Sequence, residues 1–253
     1  SGDVVDIQIW VENPNLGFDS NSLNDTISTS IASSLCGNFT IGGSNPDYSS
    51  FSEAVYILNN AGVSCPVRFL VRDGDYSEQI EIGQIAGADS INTVTFISES
   101  EDSSLVSLQY LESNNIIDYT VKLDNSKYVY FQHIGVKRNP GNFPFLIQES
   151  KHISISNCLL LGNNSIKIEE GCENIDILNN HFEGNYSRRI FVNGNSGNLV
   201  KHINVRNNIL PNSSGYCIDF TNAKYVEFSE NQISNFYRGI QVKYSDNILI
   251  NNN

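Results

Sequence analysis

Residues 151–180 read KHISISNCLLLGNNSIKIEEGCENIDILNN and hold the pattern that decides the fold. An apolar-x-apolar triplet at Ile166 and Ile168 is followed by a short turn and a second such triplet at Ile175 and Ile177. Strict alternation over three to five residues is typical of a β-strand with one buried face, and no window here keeps a helical period. The stretch therefore predicts short strands joined by tight turns.

The same pattern is written six times in the second half of the chain. One triplet of each copy begins, in chain order, at Val129, Ile153, Ile175, Ile203, Val226 and Ile248. These starts are separated by 24, 22, 28, 23 and 22 residues, which leaves no room for crossover helices. Such strands can stack as coils, each about 4.8 Å above the last. We predict an all-β fold, a right-handed parallel β-helix of eight or nine coils.

Asparagine is abundant, with 35 residues, and part of this surplus follows the repeat. The positions at one shared phase, after the triplets above, are Cys158, Asn180, Asn208, Asn231 and Asn253. Asn tolerates the left-handed backbone of a sharp corner, and its amide can donate to the next coil and accept from the previous one. We predict a ladder of stacked amides. The alternative, that Asn marks solvent loops, fits scattered residues such as Asn195.

The chain before the repeats predicts one helix. Residues 50–53, SFSE, form a capping box, an apolar face follows, and Gly62 is a natural terminator. A β-helix exposes an apolar end that needs a cap, so we assign a capping α-helix over residues 51–61 to the first coil. The strands predicted after it are Val67 to Val71, Gln79 to Ile82 and Val94 to Ile97.

The chain divides into two parts. Residues 36–253 are the predicted β-helix domain, which stops in mid-coil and is expected to be truncated at its C-terminus. Residues 1–35 contain two strand patterns, Val5 to Val11 and Thr26 to Ile31, which are too few for a domain. They are expected to be the last hairpin of an upstream immunoglobulin-like module, or else to pack against the helix.

The run from Tyr48 to Ile82, with FSEAVYILNN, VRFLV and RDGDYSEQIEI, resembles the opening of pectin-lyase-like right-handed β-helix proteins, above all the start of pectinesterases. The resemblance implies the fold, whose members include lyases, hydrolases, esterases and inert adhesins. A pectinesterase would also need an Arg-Pro-Trp segment, and the only Trp of this chain is Trp10. Residues 218–220, IDF, lack the rest of the esterase motif. The resemblance therefore carries over no catalytic residue.

Composition excludes two classes of partner. The formal net charge is −13 and the pI is about 4.6, whereas affinity for a phosphate backbone comes from Lys and Arg. The apolar runs are far too short to span a bilayer. Neither nucleic-acid binding nor membrane insertion is expected.

The cysteines and acidic residues predict no metal or cofactor. Of five cysteines, Cys36 and Cys65 are the disulfide candidates, which would fit a secreted, oxidising setting. The others show no zinc-ligand spacing. The acidic run at residues 73–78, DGDYSE, superficially resembles a calcium loop, but an EF-hand needs Gly at the sixth loop position and Glu at the twelfth, where this chain has Glu78 and Gln84. A turn that leads into a strand is the default interpretation.

One outward face of the coils is the predicted site. By strand parity its residues stack by coil, and a long excursion at residues 193–201 lies beside them. Phe191 could contact the face of a sugar, and charged neighbours could bind hydroxyls or uronates. The predicted carbohydrate-binding residues are Lys167, Glu169, Arg189, Phe191 and Asp219. The alternative is an ordinary solvated face.

Two functions stay open at this point. The first is a non-catalytic β-helix module of a large secreted bacterial surface protein, serving as a spacer or as an adhesive, carbohydrate-binding surface. The second is a polysaccharide lyase or glycoside hydrolase. Glu169 and Asp219 lie two coils apart, or about 9.6 Å along the axis, which is marginal for an inverting hydrolase.

Overall fold

The computed structural model describes residues 4–10, 26–110, 119–138, 143–162, 164–184 and 188–253. The chain winds into a parallel β-solenoid of about eight turns, with one helix among the described residues. The predicted β-helix and its leading helix are thereby confirmed. In the described part of the chain, no helix is long and apolar enough to cross a membrane.

Three faces build each turn of the solenoid. The first face stacks β3 (Leu35–Ile41), β4 (Val63–Val71), β7 (Val94–Ser98), β10 (Val129–Gln132), β13 (Lys151–Ser156), β16 (Glu173–Leu178), β19 (Val200–Arg206), β21 (Ala223–Ser229) and β23 (Asp246–Asn251). The second face stacks β5 (Gly74–Ser77), β8 (Val106–Tyr110), β11 (Gly135–Arg138), β14 (Leu159–Gly162) and β17 (His181–Glu183). The third face stacks β6 (Ile80–Ile82), β9 (Tyr119–Asp124), β12 (Phe143–Gln148), β15 (Asn164–Glu169) and β18 (Arg188–Asn193). Two long strands, β20 (Ile209–Thr221) and β22 (Gln232–Lys243), continue both the second and the third faces.

The predicted triplets are the inward residues of the first and third faces. Parallel pairing aligns Ile153 with Ile175 on the first face and Ile166 with Ile190 on the third. All four side chains are buried, and stacked phenylalanines fill the N-terminal coils, where the ring centroids of Phe69 and Phe96 are 4.7 Å apart. Burial of one continuous apolar column is the main term that stabilises the solenoid.

The asparagine ladder is present at the corner between the first and second faces. Asn208 Oδ1 accepts from Asn180 Nδ2 at 3.0 Å, and Asn208 Nδ2 donates to Asn231 Oδ1 at 2.9 Å. The backbone expectation was wrong by one residue, because the left-handed conformation belongs to the residue before each ladder position. Asn207, for example, has φ 57°. The corner thus divides two tasks between neighbours, with one residue making the bend and the next supplying the amide.

Helix α1 (Phe51–Ala61) covers the first coil. Ser50 Oγ accepts from Glu53 N at 3.1 Å, as the capping box predicts, and Gly62 ends the helix with φ 64°. Glu78, on the following coil, adds a second cap, because its carboxylate accepts from the amides of Phe51 and Ser52 at 3.1 and 2.7 Å. The start of the helix is therefore fixed to the coil that it covers.

The two predicted N-terminal strands form an antiparallel hairpin of β1 (Val4–Trp10) and β2 (Thr26–Ala32). Residues of β2 approach α1. The predicted end of the first strand at Val11 and the loop around residues 19–24 lie outside the described residues. The assignment of residues 1–35 to an upstream module stays a prediction.

Candidate functional site

The predicted outward row of the third face is in register over six coils. Paired residues in neighbouring coils are, in order, Lys122, Leu146, Lys167, Phe191, Asp219 and Gln241. Inward neighbours on both sides of each position are buried except in the last coil, so the row lies on the outer side of the sheet. This row contains three of the five predicted site residues in adjacent coils, and Glu169 lies beside it on the strand of Lys167.

Phe191 is the aromatic centre of this row and is partly exposed. The guanidinium carbon of Arg188 lies 4.6 Å from the ring centroid, which is a cation–π contact. In the coil before, Lys167 forms an ion pair with Glu169, and Gln148 donates a hydrogen bond to the same carboxylate. These four neighbouring groups, Lys167, Glu169, Arg188 and Phe191, are called the Phe191 surface below.

Asp219 belongs to the row but is only 3% exposed. Its Oδ1 accepts from Gln241 Nε2 at 2.9 Å and from Thr221 Oγ1 at 3.3 Å, and its Oδ2 lies 3.7 Å from Arg188 Nε. The carboxylate therefore positions Arg188, which in turn contacts the Phe191 ring. We expect Asp219 to act on a ligand only through Arg188.

Arg189 was wrongly placed on the outer surface by the sequence prediction. Its side chain is fully buried, and its guanidinium donates to the carbonyl oxygens of Glu183 and Pro211, each at 2.8 Å, and to Gly184 O. The cause is the corner between the second and third faces, where two successive residues turn inward. The arginine that contacts the Phe191 ring is its neighbour Arg188.

An acidic hollow lies beside the row and was not predicted from the sequence. A depression of about 190 Å³ is lined by Asp124, Gln148, Glu149, Glu169 and Glu170. Lys122 opposes part of this charge, with its Nζ 2.6 Å from Asp124 Oδ2. Although partial burial opposes the shift, hydrogen bonds to Asp124 and Glu81 raise the pKa of Lys122 to about 12. Among the described residues, no group of three His, Cys, Asp or Glu side chains is placed to hold a metal ion.

The acidic run at residues 73–78 has structural partners, as the turn interpretation expects. It forms the turn before β5 and the strand itself. Asp73 Oδ1 accepts from Ser100 Oγ at 2.7 Å, and Glu78 caps α1. Glu78 therefore serves the helical cap, and Asp73 holds the segment after β7.

The cysteines divide as the sequence suggests. Cys36 and Cys65, the candidate pair, form a disulfide that joins β3 and β4. Cys158, Cys172 and Cys217 are free and buried. Burial raises the pKa of each free thiol to about 12, so these thiols are neutral at ordinary pH.

Sequence reasoning also missed an outer row of rings near the start of the first-face strands. We call it the outer row, and its members are Tyr128, His152, Asn174, His202, Tyr225 and Asn247. The position within the repeat could have revealed this row, because each member directly precedes one of the repeated triplets.

Comparison with solved structures confirms the fold. A pectin methylesterase variant in complex with a hexasaccharide matches with a TM-score of 0.51 at 9% identity, covering 81% of each chain. The chain has the pectin-lyase-like β-helix fold. The pectin methylesterase of Aspergillus niger matches with a TM-score of 0.43 at 13% identity, covering 84% of this chain and 87% of that one. No family model and no curated protein matches the sequence. Identities this low show the fold alone.

Proposed function

We propose that the protein is a carbohydrate-contacting β-helix module of a secreted surface protein, and that it binds a glycan at the Phe191 surface without cleaving it. One observation carries the proposal. Phe191 is partly exposed between the coils of Lys167 and Asp219, beside Arg188, in a row that stays in register along a rigid face. An aromatic ring supplies a face for the apolar side of a sugar, and the cations beside it can bind hydroxyl or carboxylate groups.

The carboxylates of the face favour binding over turnover. Glu169 is engaged by Lys167 and Gln148, and Asp219 is buried against Gln241 and Arg188. A glycosidase needs one carboxyl group that protonates the leaving group and another that activates water or attacks. Carboxylates already held by basic and amide donors are poor candidates for both roles.

The disulfide supports a location outside the cytoplasm. The Cys36–Cys65 bond lies in the first coils, and such bonds persist in oxidising compartments. Secretion and a bacterial surface origin form part of the proposal.

The test combines a glycan array with a turnover screen. We expect the wild-type protein to bind one class of oligosaccharide and Phe191→Ala to weaken that binding at least about tenfold, because the ring contact is lost. Leu161→Ala is the matched control, since Leu161 is a partly exposed outward residue of the second face, and it should bind like the wild type. Intact binding by Phe191→Ala would remove the site assignment.

Turnover is measured separately on pectin, alginate and xylan. New reducing ends, absorbance of an unsaturated product, or methanol released from methyl-esterified pectin would overturn the non-catalytic proposal in favour of an enzyme. Binding without any of these products would support it.

A further inference from the structure

The outer row combines a left-handed backbone conformation with bulky side chains at four of its six positions. Each member has a φ between 53° and 57°. This left-handed region suits Asn and Gly and is uncommon for large side chains, because Cβ approaches the following carbonyl oxygen. Asn174 and Asn247 satisfy the turn with the expected residue type. His is also enriched in this region, so the turn alone leaves Tyr128 and Tyr225 unexplained.

The four rings form two stacked pairs on the outside of the solenoid. The ring centroids of Tyr128 and His152 are 4.4 Å apart, and those of His202 and Tyr225 are 4.8 Å apart. Asn174 lies between the pairs in the row, and its side chain is shorter than a ring. Tyr225 is 45% exposed, and Lys224 Nζ lies 4.9 Å from its ring centroid. The second pair is thus a partly exposed aromatic surface.

A cleft of about 290 Å³ adjoins only this second pair. Its lining includes Asn174, Asp176, His202, Asn204, Tyr225 and Glu227. This volume is close to the lower end for small-ligand sites. The cleft lies on the first face, so it is separate from the Phe191 surface on the third face.

Hydrogen-bond acceptors dominate the floor of the cleft. Asp176, Asn204 and Glu227 occupy equivalent outward positions in three successive coils. Asn204 Nδ2 donates to Asp176 Oδ1 at 3.2 Å, which fixes the orientation of the amide. Within the described residues, no protein group donates to the buried Asn204 Oδ1. A buried acceptor of this kind gains most from a ligand that brings a donor.

Glu227 is held ionised at the far end of this floor. Hydrogen bonds from Arg206 and Ser229 keep the pKa of its carboxyl below the usual range. A ligand that donates hydroxyl hydrogens matches two carboxylates and one amide oxygen. A uronate would instead meet like charge at Asp176 and Glu227.

We propose that this cleft is a second saccharide site, which takes a neutral pyranose unit of a glycan. The hydroxyl groups of the sugar donate to Asp176, Asn204 and Glu227, and its ring packs against His202 and Tyr225. The inference does not depend on the Phe191 surface, because the two sites share no residue.

The test replaces the ring-bearing residues by Asn, the residue found at the other two positions of the row. Tyr225→Asn and His202→Asn keep a residue type suited to the left-handed backbone and remove the stacked pair. Tyr128→Asn is the matched control, because it breaks the other pair, which lies outside the cleft. Asp176→Asn probes the floor with an isosteric change. The probes are neutral oligosaccharides of gluco, manno and galacto configuration, each beside its uronate counterpart.

We expect a neutral probe to bind the wild type, and Tyr225→Asn, His202→Asn and Asp176→Asn each to weaken this binding about tenfold or more. Tyr128→Asn and Phe191→Ala should leave it unchanged. Binding of no neutral probe by the folded wild type, preference for the uronates, or unchanged binding by Tyr225→Asn would overturn the proposal. Loss of binding through Phe191→Ala alone would overturn this site and support the Phe191 surface.

If Tyr225→Asn fails to fold, the ring pair is structural, and Asp176→Asn decides whether the cleft binds a sugar. Unchanged binding in that folded variant would also overturn the proposal.

Discussion

Two positions recur once per coil, and they constrain residue identity differently. At the ladder corner, the amides of Asn180, Asn208 and Asn231 are buried and saturated with hydrogen bonds. In the outer row, the backbone conformation is just as regular, yet His202 and Tyr225 stand where other coils have Asn. A repeated fold therefore fixes side-chain chemistry only where the side chain is enclosed, and leaves exposed positions free to acquire a function.

The largest effect should come from the ladder itself. Asn208→Ala removes an acceptor for Asn180 N and Asn180 Nδ2 and a donor to Ile177 O, all at a buried corner, and leaves Asn180 Nδ2 with its bond to Ile155 O. Two or three unsatisfied groups should lower the free energy of unfolding by about 3 to 5 kcal/mol. Urea denaturation followed by circular dichroism measures the change.

Asn207→Gly is the control for that prediction. Asn207 is exposed and left-handed, and glycine adopts the same conformation readily, so its stability should change by less than about 1 kcal/mol. Equal losses in the two variants would mean that the bend, and not the amide ladder, stabilises the corner.

The ladder corner also predicts that the free energy of unfolding falls at alkaline pH. Cys158 occupies the first ladder position, where burial raises the pKa of its thiol to about 12 from an ordinary value of 9.0. Because the folded state holds the thiol proton more tightly, this contribution is complete below pH 9 and is lost as the pH rises towards 12. The loss should be about 1 kcal/mol between pH 9 and 10.

Two measurements check the thiol. The free energy of unfolding of the wild type and of Cys158→Ser is compared at pH 8, 9 and 10, and the difference should narrow as the pH rises. A thiol-reactive dye at pH 8 should modify no cysteine until denaturant is added. Rapid labelling of Cys158 in the folded protein, located by peptide mapping, would show that the ladder corner opens to solvent.

The smallest effect should be found in the outer row, away from the cleft. Tyr128→Asn loses a stacking contact worth about 0.5 to 1.5 kcal/mol and gains relief of a left-handed backbone worth about 1 to 2 kcal/mol. These terms oppose each other, so the melting temperature should shift by only a few degrees in either direction. A loss as large as that of Asn208→Ala would erase the distinction between the two positions.

Strand parity predicted two of the three faces because each of those faces has two inward residues per coil. The second face was not predicted as strands, since β11, β14 and β17 each contribute a single large apolar side chain to the core, namely Val136, Leu160 and Phe182. A single apolar residue shows no alternation, so the sequence pattern cannot distinguish a strand of this kind from a turn.

The site prediction failed at one corner for a related reason. β9, β15 and β18 each bury the residue just before their inward pair, which are Thr120, Ser165 and Arg189. The chain bends there, so two consecutive side chains point inward and parity no longer applies. Thr120 and Ser165 are small enough to suit such a bend, whereas Arg189 fits because carbonyl oxygens receive its guanidinium.

Glu78 couples the formation of α1 to the formation of the first coil. An isolated helix of 11 residues is marginal in water, and the donors at the start of α1 are satisfied by a carboxylate that arrives 27 residues after Phe51. We therefore expect α1 and the coil beneath it to form together. Glu78 can therefore cap the helix only after the first coil has formed in the correct register.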